Sequence, residues 1–258
     1  MKIKLYGILV LSILFQPALA EVSGREISYQ IDGKSFTGYL AYDDAISGTR
    51  PGILVVHEWW GINAHARHSA DKLAELGYTA FALDMYGTGK LADHPDDAKQ
   101  FATAVKAVTQ QRFNYALDLL KKEDSVNADK TAAIGYCMGG GIVLNMAKLG
   151  SELDGVVSFH GSLGSATKSP AGSGNTRMLV LTGADDPFVP QDQVAAFEAE
   201  MKAAGIDYQL HSYDGVKHSF TNPDADAVAE KFNMPLAYNK AADEDSWERM
   251  QLFFKQLF

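Results

Sequence analysis

The segment Ile134-Gly135-Tyr136-Cys137-Met138-Gly139-Gly140-Gly141 narrows the folds open to this chain more than any other feature. The apolar run Thr131–Tyr136 leads into it, and a helical pattern from Met138 to Leu149, closed by Gly150, leads out. A chain that turns from strand to helix this sharply needs glycine two residues before and two after the turn, because a Cβ there would clash. The side chain in the middle, Cys137, is forced outward. The first N–H groups of the helix face it and favour negative charge, on a thiolate or on an oxyanion formed by attack on a carbonyl. The opposing reading is a buried free cysteine in a glycine-rich turn, since cysteine is among the most buried residue types. The turn alone leaves both readings open.

Cys137 is the single cysteine of the 258 residues, and the N-terminus sharpens what that means. Lys2 and Lys4 precede the short apolar run Ile8–Phe15, and Pro17-Ala18-Leu19-Ala20 ends in a small-residue cleavage pattern. The run is too short to span a membrane, and no cysteine follows that could carry a lipid. Residues 1–20 are therefore expected to be a signal peptide and 21–258 one mature domain, periplasmic or secreted. Losing Lys2 and Lys4 moves the net charge from −9 to −11. In an oxidising compartment a structural cysteine usually has a partner, so an unpaired thiol points to chemistry. The acidic balance and the absence of Lys/Arg clusters exclude nucleic acid and anionic membrane as expected partners.

Along the chain, Glu26–Ile31 and Phe36–Tyr42 alternate apolar and polar residues across Asp32-Gly33-Lys34, a hairpin signal. Gly52–His57, Thr79–Asp84, Thr131–Tyr136, Gly155–Phe159, Met178–Thr182 and Tyr208–Tyr213 read as strands, the first a continuous apolar run. Helical patterns cover Ala64–Leu76, Pro95–Lys122 with a break near Val108-Thr109, Met138–Leu149, Gln191–Ala204 and Asp243–Phe258. A Gly/Ser-rich loop runs from Gly161 to Gly174. Strands alternating with helices imply a mostly parallel sheet covered on both faces, with sites beyond the carboxyl ends of its strands.

Two later loops hold what a nucleophilic cysteine needs. One is Gly183-Ala184-Asp185-Asp186-Pro187-Phe188-Val189-Pro190, the other Gly215-Val216-Lys217-His218-Ser219-Phe220. A histidine can exchange a proton with the thiol and then protonate the leaving group, while a carboxylate fixes its tautomer. The chain order nucleophile, acid, histidine is that of α/β-hydrolases. Either Asp185 or Asp186 fits as the acid, and either could cap a turn. Of the seven histidines, His218 alone joins a late glycine-containing loop to this order; His160, at the end of a strand, ranks second. Glu58 lies beside Trp59 and Trp60. Desolvation there disfavours its charge and suits it to take a proton from a thiol, the alternative being a surface glutamate at a helix entrance. The two tryptophans line an acyl pocket or fill core.

These residues resemble the dienelactone hydrolase family over nearly all of the mature chain. The resemblance is carried by His57-Glu58-Trp59-Trp60-Gly61, Asp84-Met85-Tyr86-Gly87, Gly135-Tyr136-Cys137-Met138-Gly139-Gly140, Asp186-Pro187-Phe188-Val189-Pro190 and His218-Ser219-Phe220. It implies an α/β-hydrolase fold with a mostly parallel eight-stranded sheet, and hydrolysis of small carboxylic esters or lactones by a monomer without metal or organic cofactor. It further implies Cys137 as nucleophile, His218 as base, Asp186 rather than Asp185 as its orienter, and Glu58 holding the resting thiol. The N–H groups of Trp59 and Met138 would form the oxyanion hole, with Trp60, Tyr86, Lys90, His160 and Asn222 around the substrate. One departure stands out. Members that cleave dienelactone carry arginines near Tyr86 and four residues past the histidine; here those places offer only Lys90 and Asn222. A lysine does not reproduce a bidentate guanidinium clamp. The rival class is a redox or ligand-capturing protein using the same thiol, which the lack of a second, resolving cysteine disfavours.

Overall fold

The computed structural model describes residues 22–164 and 176–258. The expected signal peptide and most of the Gly/Ser-rich loop lie outside the described residues. The described chain begins with a hairpin: β1 (Val22–Ile31) and β2 (Lys34–Asp43) pair antiparallel from Val22↔Asp43 to Ile31↔Lys34. Asp32 and Gly33 at its tip have φ of 50° and 72°, the two-residue turn whose twist matches that of the paired strands. Next come β3 (Arg50–Val56), β4 (Thr79–Leu83), β5 (Val126–Tyr136), β6 (Gly155–Phe159), β7 (Arg177–Gly183) and β8 (Tyr208–Tyr213). They form one eight-stranded sheet in the order β1-β2-β4-β3-β5-β6-β7-β8. Pairing is antiparallel at β1–β2 and β2–β4 and parallel elsewhere.

The helices are α1 (Ala64–Glu75), α2 (Pro95–Val105), α3 (Thr109–Lys121), α4 (Met138–Lys148), α5 (Gln191–Ala204), α6 (Ala225–Phe232) and α7 (Lys240–Leu257). The break expected near Val108 is a single 3₁₀ turn, Lys106–Val108. Because successive strand residues point to opposite faces, each central strand feeds two cores. Leu54, Val56, Phe81, Ala133, Val156 and Val180 pack with Phe113, Val143 and Phe197 from α3, α4 and α5. Ile53, Val55, Ala80, Ile134, Val157 and Leu181 pack with Leu73, Met250 and Phe254 from α1 and α7. This two-sided burial is why those strands read as unbroken apolar runs.

Three elements differ from the sequence expectation. β5 starts at Val126 rather than Thr131, because exposed Ala128, Asp129 and Lys130 interrupt its apolar pattern near a register shift against Pro51/Gly52. α7 starts at Lys240, where the Asn239 side chain caps it by accepting from Ala242 N–H. α6 is a further addition: Ala225, Val228, Ala229 and Phe232 fall at helical spacing, but the pattern covers only eight residues between Pro223 and Pro235 and only Ala225 is buried. The parallel order β5-β6-β7-β8 brings the loops after β5, β7 and β8 to one edge of the sheet.

Candidate active site

Cys137 occupies the turn between β5 and α4 with φ 53° and ψ −113°, a backbone conformation that L-residues rarely adopt. The flanking glycines make the turn possible. A Cβ on Gly135 would lie 2.2 Å from the Gly139 carbonyl oxygen, and one on Gly139 would lie 2.2 Å from the Val56 carbonyl oxygen. The Cys137 side chain is partly exposed, and its N–H is shared between the Phe159 carbonyl (3.0 Å) and His160 Nδ1 (3.2 Å). Met138 N opens α4, where an N–H has no partner within the helix.

Asp186 and His218 meet beside it. His218 Nδ1 donates to Asp186 Oδ2 at 2.6 Å, and Asp186 Oδ1 accepts from Phe188 N–H at 2.8 Å. Asp186 is buried whereas Asp185 is exposed, so the tertiary structure separates two neighbours that the sequence left alike. Burial disfavours charge on His218, but the facing Cys137 and the bond to Asp186 outweigh it, and its pKa is pushed up to about 10. With Nδ1 committed to Asp186, Nε2 is left for the hydrogen bond to Cys137. The His218 ring is held edge-on between Phe188 at 5.0 Å and His160 at 5.1 Å.

His160 stands behind the nucleophile, not among groups that could touch a substrate. Its Nδ1 accepts from Cys137 N–H, so Nε2–H donates to Thr221 Oγ1 at 2.8 Å. Burial first, then the neighbouring His218 and His65, pushes its pKa well below the ordinary imidazole value. A neutral ring that accepts from the nucleophile's own N–H supports the strained turn.

Glu58 is buried, which removes the surface-glutamate reading. Its carboxylate accepts from Ser219 Oγ at 3.2 Å and Asn222 Nδ2 at 2.7 Å, with His65 Nδ1 at 3.8 Å. Among the described residues these are its partners, and Cys137 faces His218 instead; the expected grip of Glu58 on the thiol is not the arrangement found. Asn222 is correspondingly spent on Glu58. Tyr86 is buried too: its hydroxyl donates to the Trp59 carbonyl at 2.9 Å. Lys90 is exposed, and its backbone packs against Gly61.

A cavity of about 220 Å³ opens over Cys137 and His218, walled by Trp59, Ala102, Met138, Ser162, Phe188, Val189, Ser219, Met234 and Leu236. Of the residues expected at the site, Cys137, His218, Trp59 and Met138 reach it. Trp60, Tyr86, Lys90, His160 and Asn222 do not; Trp60 packs edge-on to Trp59 at 5.0 Å and stacks on Phe232 at 6.3 Å. Met234 and Leu236 were missed because they lie just past α6, whose eight residues give too brief a pattern to place them. Phe188 and Val189 stood in a motif beside Asp186, the one signal that could have placed them here. No lysine or arginine is among the described residues lining this cavity.

A doubly covered, mostly parallel sheet with a nucleophile turn after β5 and an Asp–His pair after β7 and β8 is the architecture of an α/β-hydrolase. The dienelactone hydrolase family model matches residues 36–258, and the chain belongs to that family, as a carboxylic ester hydrolase. It is 29% identical over 241 residues to protein usf of Aquifex pyrophilus, covering 90% of this chain and 98% of that one. A relative from Aquifex aeolicus, provisionally named a carboxymethylenebutenolidase, is 28% identical over 240 residues, covering 90% of this chain and 98% of its own. Among solved structures, a dienelactone hydrolase-like promiscuous phosphotriesterase, P91, from metagenomic libraries is 34% identical with a TM-score of 0.84, covering 92% of this chain and 99% of that one.

Proposed function

We propose that the protein cleaves small, uncharged carboxylic esters or lactones through a thioester on Cys137. The Cys137 thiolate attacks the carbonyl carbon, and the oxyanion that forms accepts from the N–H groups of Trp59 and Met138. His218 gives its Nε2 proton to the leaving oxygen, the C–O bond breaks and the acyl thioester remains. His218 then takes a proton from water, whose oxygen displaces the thiolate and releases the acid. The observation that carries the reading is the 2.6 Å bond from buried Asp186 to His218, which lines the same cavity as Cys137. A redox or ligand-capturing thiol would need no such pair.

The cavity wall favours neutral substrates. A carboxylate buried without a paired cation costs several kcal/mol, and the family's arginine positions are filled here by exposed Lys90 and by Asn222, which binds Glu58. Neutral phosphotriesters, the class named for one structural relative, present the same lack of charge and are a second class to assay. The nucleophile, base and acid come together within one chain, so the site is complete without a partner's side chain, and the working unit is proposed to be a monomer. Among the described residues no helix is long and apolar enough to cross a membrane. Export after cleavage behind Ala20 is proposed on the sequence pattern.

The test compares p-nitrophenyl esters, simple lactones, and a matched free-acid and methyl-ester pair on the wild type and Cys137→Ala. Turnover should vanish in the variant, iodoacetamide should inactivate the wild type at this one thiol, and the methyl ester should show the higher kcat/KM. Turnover surviving Cys137→Ala would sink the acyl-enzyme reading; preference for the free acid would sink the charge argument.

A further inference from the structure

His57 is fully buried and takes no direct part in the scheme above, yet both of its ring nitrogens are engaged. Nε2 accepts from Met85 N–H at 3.2 Å. A neutral imidazole has one donor and one acceptor, so the proton is on Nδ1, which donates to the Glu58 carbonyl oxygen. Burial, against weaker opposing pulls from the Glu58 carbonyl and Asp84, lowers the pKa of the ring and keeps it neutral. The tautomer is set by rigid backbone. Asp84 accepts from the N–H groups of Tyr86 (2.8 Å), Gly87 (2.9 Å) and Thr37 (3.2 Å), and Arg112 donates to the Met85 carbonyl. The turn that presents Met85 N–H is thereby fixed.

The Glu58 carbonyl and the Trp59 N–H belong to the same planar peptide unit. Donation to the oxygen of an amide holds its plane and draws charge from its nitrogen, which strengthens the N–H as a donor. Among the described residues one backbone donor also reaches that oxygen, Gly61 N–H at 3.4 Å, so the histidine side chain supplies the closer bond. We propose that His57 is a positioning residue of the oxyanion hole, which orients and polarises the Glu58–Trp59 peptide so that the Trp59 N–H meets the charge formed on the substrate. This rests on the reading of Trp59 as an oxyanion donor.

Two substitutions separate this role from simple packing. His57→Asn keeps a donor near the place of Nδ1 but cannot reach Met85. His57→Gln keeps an acceptor near the place of Nε2, is closer to histidine in size, and has no donor at Nδ1. With p-nitrophenyl acetate, kcat should fall about tenfold to a hundredfold in His57→Gln, somewhat less than the 10²–10³ seen when an oxyanion donor is removed outright. His57→Asn should retain more kcat, and KM should stay unchanged in both. Alkylation of Cys137 by iodoacetamide uses the nucleophile and its base but no oxyanion donor, so its rate should stay at the wild-type value. A packing role gives the reverse ranking, and His57→Gln matching or exceeding His57→Asn in kcat overturns the proposal. So does alkylation that falls in step with kcat.

A measurement on the unmodified protein stands apart from turnover and from the folding of any variant. The ¹⁵N shifts of labelled His57 should show Nδ1 protonated and Nε2 bare; the opposite tautomer overturns the proposal. Turnover surviving in Cys137→Ala, by contrast, would remove the thioester reading while leaving this tautomer result intact.

Discussion

Replacing Asp186 by asparagine tests the geometry of the base most directly. The change keeps the shape of the side chain but removes the charge that accepts the Nδ1 proton of His218 at 2.6 Å. The rise of His218 from 6.5 to about 10 corresponds to roughly 5 kcal/mol. Cys137 and Asp186 produce it together, against burial. The share of Asp186, a buried hydrogen bond between charged partners, is about 1.5–3 kcal/mol, which predicts a loss of about tenfold to a hundred-and-fifty-fold in kcat/KM. The amide adds a second penalty. Phe188 N–H donates to Oδ1 at 2.8 Å, so the asparagine oxygen stays there and its NH₂ group faces His218 Nδ1. Two donors then oppose each other and the imidazole is driven towards the wrong tautomer, a change that costs about 10⁴ in a serine enzyme. A thiol ionises far more readily than a hydroxyl and depends less on its base, so the loss should stay below that ceiling. The assay is p-nitrophenyl butyrate hydrolysis near neutral pH, with Asp185→Asn alongside. The Asp185 side chain is exposed, and its variant should match the wild type. A costlier Asp185→Asn, or an Asp186→Asn loss under about tenfold, would refute the reasoning.

Stability should respond to alkali through the same group. The folded-state pKa of His218 is raised, so its contribution is complete below pH 6.5 and disappears as pH rises through about 10. Thermal midpoints across that window should fall in the wild type, and at lower pH in Asp186→Asn; an unchanged window would show that Asp186 does not hold the proton. For processing, mass analysis of the exported fraction should find Glu21 as the first residue, and active protein with Met1 intact would refute cleavage.

Much of this protein was legible because local physics repeats in its sequence. Gly135 and Gly139 around Cys137 announced the turn, since only residues without Cβ allow backbones to come within about 2 Å of where that atom would stand. Unbroken apolar runs announced strands covered on both faces, and the chain order Cys137, Asp186, His218 announced which loops would gather at one edge. What the sequence could not supply depends on which neighbours the tertiary structure provides. Asp185 and Asp186 are chemically identical, and only packing buries one against His218 and leaves the other in solvent. Asn222 and Glu58 look like substrate and thiol ligands until folding brings them together, because a buried carboxylate takes the nearest donors that desolvation leaves it. The cavity wall at Met234 and Leu236 follows a short helix whose apolar positions recur over only eight residues, too brief a pattern to place that wall. His57 and His160 are indistinguishable from ordinary core histidines in one dimension; their tautomers, and so their effect on the reacting centre, are set by single backbone N–H groups, of Met85 and of Cys137, that the fold alone brings to their rings.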